Sequence, residues 1–233
     1  MGLLSLAPSC VGPDDSPRPR VDDSAGDSPG DSASDSGDSA NPDCPAGSVV
    51  VADFCIDAFE TTVTGDPGNS DQGAAFPDGS TTATSEATSG VLATEYMSWY
   101  QAYAICAESG RHLCTVDEWQ TACGASAYPW GDTPDAVDVC AVANPDGTTG
   151  WTAPQPTGSL AGCASPEGVF DQIGNLWEWA DPGATNADGT PETAKLGGAW
   201  YAGGGDGLCG LPAHDEHPPT FDGTIGFRCC SPP

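Results

Sequence analysis

Eleven cysteines in 233 residues constrain this chain more than any other feature. They stand at Cys10, Cys44, Cys55, Cys106, Cys114, Cys123, Cys140, Cys163, Cys209, Cys229 and Cys230. None forms a C-x-x-C pair, so zinc ribbons, thioredoxin-like motifs and iron–sulfur clusters lack their ligand spacing. A reducing cytosol rarely sustains so many thiols, so disulfides in an oxidising compartment are expected. Eleven is odd. Cys10 lies alone before a low-complexity stretch, which leaves ten cysteines and five bridges, with about 945 formal pairings.

Residues 1–10, MGLLSLAPSC, are a short apolar run ending in small residues and a cysteine. They resemble the end of a truncated bacterial lipoprotein signal segment, with Cys10 as the lipid-bearing residue. The expected location is extracytoplasmic: secreted, or lipid-anchored at the cell envelope. Residues 11–43 read as a disordered linker, because residues 13–43 repeat Asp-Ser six times and hold one aliphatic side chain larger than Ala. Such a segment buries too little surface to offset its ordering entropy.

Charge narrows the partners. The chain carries 34 acids and 5 bases, a formal net charge of −29. Without the linker's 9 Asp and 2 Arg, 25 acids and 3 bases remain, about −22 on the folded part. That field repels phosphate backbones and anionic lipid, so no nucleic-acid partner is expected, and membrane contact only through a lipid at Cys10. No internal apolar run approaches the ~18–20 residues of a membrane span. A surface so acidic suits high salt.

The folded domain is expected over residues 44–233. Residues 48–56 predict a strand or hairpin, and 64–90 a long polar surface loop. Ser98-Trp-Tyr-Gln101 and Thr115-Val-Asp-Glu118 match the capping box, and Gly110 and Gly124 match left-handed C-terminal caps. Helices are therefore predicted at about 99–109 and 116–123, with Trp99, Tyr103, Cys106, Trp119 and Cys123 inward. Short strands are predicted at 128–131, 168–170, 176–179, 198–201 and 225–230. Two helices with irregular β-structure indicate the α+β class.

Five segments stand together in order: His112-Leu-Cys-Thr-Val-Asp-Glu-Trp119, Tyr128-Pro-Trp-Gly-Asp132, Phe170-Asp-Gln-Ile-Gly-Asn-Leu-Trp-Glu-Trp179, Gly197-Gly-Ala-Trp200 and Gly226-Phe-Arg-Cys229. In that register the chain resembles the formylglycine-generating (sulfatase-modifying factor) domain family from about residue 44 to 230. The resemblance implies a compact C-type-lectin-like fold with two short helices, irregular β-structure, long loops and several disulfides. It also implies calcium sites and, in active members, oxidation of a sulfatase cysteine to formylglycine.

That reaction uses two reduced thiols, five residues apart after the Gly-Gly turn, to bind copper(I), for which thiolates are the suitable soft ligands. Here the first such position falls near Ala202, and residues 199–208 hold no cysteine. Copper is therefore not expected, and the enzymatic reading leans to no. The resemblance pairs Cys106–Cys229 and Cys123–Cys209. Proximity then suggests Cys44–Cys55 and Cys140–Cys163, and Cys114–Cys230 is what remains.

The resemblance also places calcium ligands on the Asp171 and Glu178 side chains and the Gly174 and Leu176 carbonyls, hard oxygens of the kind calcium takes. A second family site would fall in residues 140–146, where Ala141 replaces the expected Asn and Asn144 or Asp146 would have to compensate. Trp177 and Trp179 are expected in the core. Trp200, Tyr201, His214 and His217 are candidates for a ligand surface, with a protein, peptide or glycan as the partner. His214-Asp-Glu-His217 sits among Pro212, Pro218 and Pro219, so a polar loop is expected there and not a helical metal motif. The function expected is a non-catalytic binding module, with an oxidase of altered metal site as the alternative.

Overall fold

In the computed structural model, β1 (Ser48–Val51) and β2 (Phe54–Asp57) form the expected hairpin, pairing Val51 with Phe54 across a two-residue turn. The structure describes residues 44–67, 81–133, 139–143, 151–202, 207–211, 217–218, 220 and 223–233. All lie in one compact unit, Asp38–Pro233. The signal segment, Cys10, the linker, His214, Asn144 and Asp146 fall outside the described residues.

Three small sheets carry the molecule. The first has the order β1-β2-β9-β5, with β5 at His112–Leu113 and β9 at Cys229–Ser231. The second pairs β3 (Thr61–Thr64) with β4 (Thr84–Ala87). The third has the order β7-β6-β8: β7 is Ala194–Leu196, β6 is Trp177–Ala180, and β8 is Ile225–Phe227, parallel to β6.

Both helices begin where their capping boxes place them. In α1 (Trp99–Glu108) the Ser98 hydroxyl accepts from Gln101 N at 3.3 Å, and the Gln101 side chain accepts from Ser98 N at 3.1 Å. In α2 (Val116–Cys123) the Thr115 hydroxyl accepts from Glu118 N at 3.2 Å, and Glu118 accepts from Thr115 N at 2.8 Å. These bonds satisfy backbone donors that a helix start would otherwise leave open. The exit of α1 meets the expectation: Gly110 follows the cap residue Ser109 at φ 71°, with Gly110 N donating to Ala107 O at 3.0 Å and Arg111 N to Cys106 O at 2.9 Å. The exit of α2 does not: Gly124 has φ 106° and ψ 176°, an extended mirror conformation instead of a left-handed turn.

Trp99, Trp119 and Trp179 are among the largest fully buried side chains, and the N–H of each finds an acceptor. Trp99 donates to Ala180 O at 2.9 Å and Trp179 to Met97 O at 2.7 Å, tying α1 to β6. Trp177 and Trp179 are both buried.

Some sequence expectations need correcting. The polar stretch 64–90 contains β4, and β7 was not anticipated. Residues 198–201 are turns and not a strand, because Gly197 and Gly198 take φ 86° and 74°. Residues 128–131 and 168–170 make only isolated bridges.

Five disulfides close the unit: Cys44–Cys55, Cys106–Cys229, Cys114–Cys230, Cys123–Cys209 and Cys140–Cys163. They are the five pairs named above. Adjacent Cys229 and Cys230 point to opposite faces of β9, as successive strand residues do, and so reach α1 on one side and the end of β5 on the other. Such bridging fits an oxidising, non-cytoplasmic setting. No described helix is long and apolar enough to cross a membrane.

Candidate functional site

The turn before β6 is built by close backbone approach. Asp171 and Asn175 take positive φ, 59° and 56°, values that Asp and Asn tolerate better than other side chains. Between them Gly174, at φ 82°, leaves no room for a side chain, since a Cβ there would meet Ala141 O at 2.2 Å. Gly174 N donates to Gly197 O at 2.8 Å, and Trp200 N to Asn175 O at 2.9 Å. The Gly197-Gly198 turn therefore lies directly against the Asp171–Leu176 turn. Ala202, which follows, is buried and bonded through its carbonyl to Ala143 N at 3.0 Å.

Beneath this contact sits a charge cluster. Glu178, Arg228 and Glu60 are fully buried, and Asp171 is 4% exposed. Arg228 donates to both Glu178 oxygens, at 2.6 and 2.5 Å, and to the carbonyls of Asp57 and Phe170, both at 2.9 Å. Trp119 Nε1 adds a third bond to Glu178, at 2.7 Å. Glu60 accepts from Leu176 N at 3.0 Å and from the Asn175 amide. Asp171 accepts from Gly158 N at 2.6 Å.

Three carboxylates thus surround one guanidinium. Burial pushes the Asp171 carboxyl up to about 6, against the lowering effects of the Gly158 hydrogen bond and Arg228. Glu60 is raised well above its ordinary value by burial, then by the charges of Asp171 and Glu178. Burial alone would lower Arg228, but Glu178 and then Glu60 and Asp171 hold it above its ordinary value. Sequence reasoning missed both Glu60 and the role of Arg228. The available signal was an acid set between Phe59 and the β-branched run Thr61-Thr62-Val63.

Of the four expected calcium positions, the two carboxylates, Asp171 and Glu178, lie close enough to act on each other electrostatically, and both accept hydrogen bonds from the protein. The acidic excess and hard oxygen donors suit a divalent cation in kind. Against this, the Glu178 carboxylate already takes three hydrogen bonds. No group of three or more His, Cys, Asp or Glu among the described residues is spaced to hold a metal.

The expected ligand surface divides. Trp200 is half-buried and packs edge-to-face on Tyr201, with ring centroids 5.2 Å apart, and Tyr201 is 45% exposed. His217 is exposed and lines a separate hollow beside Tyr100.

The match to known proteins agrees with this arrangement. The model of the sulfatase-modifying factor enzyme 1-like domain matches residues 15–232. The chain belongs to that family. Among curated relatives, the inactive C-alpha-formylglycine-generating enzyme 2 of Bos taurus is 28% identical over 158 residues, covering 58% of this chain and 49% of that protein. The formylglycine-generating enzyme of Mycobacterium tuberculosis is 36% identical over 83 residues, 30% of this chain and 27% of that protein. The chain spans about half the length, 49%, of the first of these relatives. Among solved structures, Treponema denticola variable protein 1 superposes with TM-score 0.52 at 14% identity, covering 79% of this chain and 93% of that one. The Major Tropism Determinant U1 variant does so with TM-score 0.54 at 17% identity, covering 81% and 53%. These likenesses show the fold alone. It is the α+β, C-type-lectin-like fold.

In this sulfatase-modifying factor domain the family match starts at residue 15, upstream of Cys44 where the fold was expected to begin. All ten cysteines from Cys44 to Cys230 are disulfide-bonded.

Proposed function

We propose that this chain is an exported, non-catalytic binding module on the sulfatase-modifying factor scaffold, held by its disulfides and by calcium, and either secreted or anchored through a lipid at Cys10. One observation carries the non-catalytic reading: Cys209, the one sulfur in the segment that follows the Gly-Gly turn, is bonded to Cys123. Copper(I) chemistry of the family's kind needs two reduced thiolates converging on an open position. Ala202 and a bonded Cys209 offer none. That two mammalian relatives carry the name of an inactive enzyme supports the same reading.

Calcium held by Asp171, Glu178 and the Gly174 and Leu176 carbonyls would have to share or displace the Arg228 and Trp119 bonds to Glu178, and when bound it would neutralise buried acidic charge. Because Glu178→Ala would also orphan Arg228, stoichiometry in Asp171→Asn is the cleaner readout. Wild type should take up one calcium there and the variant none; equal uptake by both would remove the site from the proposal.

The activity test is incubation with a sulfatase-derived cysteine peptide, copper(I) and oxygen, read by mass spectrometry as conversion of the thiol to the aldehyde. No conversion is expected. Conversion by wild type that Cys209→Ser abolishes would favour the alternative, an oxidase with an altered metal site.

A further inference from the structure

Among the described residues, large apolar side chains stand exposed at four positions, and three of these fall within six residues: Val91 (36% exposed), Leu92 (60%) and Tyr96 (59%). Apolar residues scattered singly over a surface are ordinary, whereas their clustering is what interaction sites show. The stretch connects β4 to α1. We propose that it docks a basic segment of a partner protein, with Leu92 and Tyr96 as apolar anchors and Glu95 as the acceptor for a lysine or arginine.

The connection holds these side chains outward on a fixed backbone. Gly90 N donates to Thr157 O at 2.7 Å, and Thr157 N to Val91 O at 2.8 Å. The hydroxyl of the buried Thr157 donates to Thr88 O at 2.6 Å. Further on, Thr94 N donates to Thr61 O and Val63 N to the Thr94 hydroxyl, both at 2.9 Å. Ala93 and Met97, both buried, pin the stretch from inside. Little backbone ordering is left for a partner to drive. Tyr96 has φ 59°, a conformation that strains a bulky residue and that Asn or Gly takes more easily. The chain nevertheless keeps an exposed aromatic there.

Charge selects the partner. The Tyr96 hydroxyl and the Glu95 carboxylate converge on Gly223, where a Cβ would meet them at 2.7 and 3.1 Å. Glu95 belongs to none of the ion pairs among the described residues, and burial without a countercharge raises its carboxyl. The three bases of the folded part are engaged elsewhere, Arg111 on Asp57, Arg228 on Glu178, and Lys195 over the Trp177 ring. A cation from outside therefore finds an unpaired carboxylate with an aromatic ring beside it. The domain's formal charge of about −22 would draw such a partner in, and would oppose a second copy of this chain or an anionic membrane.

The proposal rests on the binding-module reading, yet the two fail separately. Oxidation of a sulfatase peptide would overturn the non-catalytic reading whatever this stretch binds, and absence of binding here would leave the paired cysteines untouched. The test is calorimetric titration of the full chain, in about 50 mM salt, with a capped octapeptide of alternating leucine and lysine. A serine–lysine peptide of equal charge and a leucine–glutamate peptide are the comparisons. The leucine–lysine peptide should bind with a Kd of about 100 μM or tighter, and roughly fivefold or more tighter than the serine–lysine peptide. The leucine–glutamate peptide should not bind. Leu92→Ser and Tyr96→Asn should each weaken binding by roughly fivefold or more without lowering the melting temperature, since both side chains are exposed and Asn accepts positive φ. Glu95→Gln should weaken it about threefold, and Asp117→Asn, which removes an exposed charge on α2, by less than about twofold. Equal affinity for the serine–lysine peptide, or unchanged affinity in Leu92→Ser and Tyr96→Asn, would overturn the proposal. So would co-sedimentation with phosphatidylcholine vesicles, or dimerisation, that Leu92→Ser abolishes.

Discussion

Arg228 is the residue on which the interior charge balance turns. Its guanidinium is fully buried and bonds Glu178, with Glu60 and Asp171 close enough to raise it further. Removing one partner from such a pair leaves uncompensated charge in a low-dielectric interior, which costs more than the pair itself contributes. Arg228→Met should therefore destabilise the domain by about 3–5 kcal/mol in urea melts under non-reducing conditions. A loss below about 1 kcal/mol would mean that the three carboxylates are protonated or hydrated in solution. None of this was legible in the sequence. Gly226-Phe-Arg-Cys229 was visible as a motif, but nothing local says that its arginine faces Glu178, 50 positions away. The Asp171–Glu178 turn was legible, because Asp, Gly and Asn at those positions are the residues that accept positive φ.

At the scale of elements, what was legible was local. Both helix starts could be read because a capping box is a contact between residues three apart. The β3–β4 pair could not, since Thr84-Ser-Glu-Ala87 carries no apolar alternation and gains its partner across a long connection. β7 has three residues, too few to show a period. Within α2, Glu118 lends itself to a pH test. Burial raises its carboxyl, but hydrogen bonds from His112 at 2.9 Å and from Thr115 outweigh that and leave it below its ordinary value. A carboxyl lowered in the folded state contributes stability that is complete above the unfolded glutamate value and fades as pH falls through the folded one. Wild type should thus exceed Glu118→Gln by roughly 0.5–1 kcal/mol at neutral pH, the gap closing on acidification. Gln retains the capping-box geometry, so a gap independent of pH would show that packing, not charge, is responsible.

The whole molecule is strongly acidic, with 34 acids against 5 bases. Of the three bases in residues 44–233, Arg228 and Arg111 are buried in ion pairs, with side-chain exposures of 0% and 8%. The folded part as a whole carries a formal charge of about −22. Self-repulsion of that kind opposes the folded state and is screened by salt, the Debye length falling from about 10 Å at 0.1 M to about 3 Å at 1 M. In the presence of a chelator, the melting temperature should rise by several degrees between those sodium chloride concentrations. A flat or falling profile would show that self-repulsion does not limit stability. The overall fold was legible because five motifs stand in family order, and two of them carry the buried Trp119, Trp177 and Trp179.

All ten cysteines from Cys44 to Cys230 are in disulfides, and the non-catalytic reading proposed above stands on that. Free thiols counted on the denatured, unreduced protein, by alkylation and intact mass with peptide mapping, test it most directly. No alkylated cysteine is expected between Cys44 and Cys230 before reduction, and ten are expected after it. Two or more alkylated positions in that range before reduction, Cys209 among them, would contradict it.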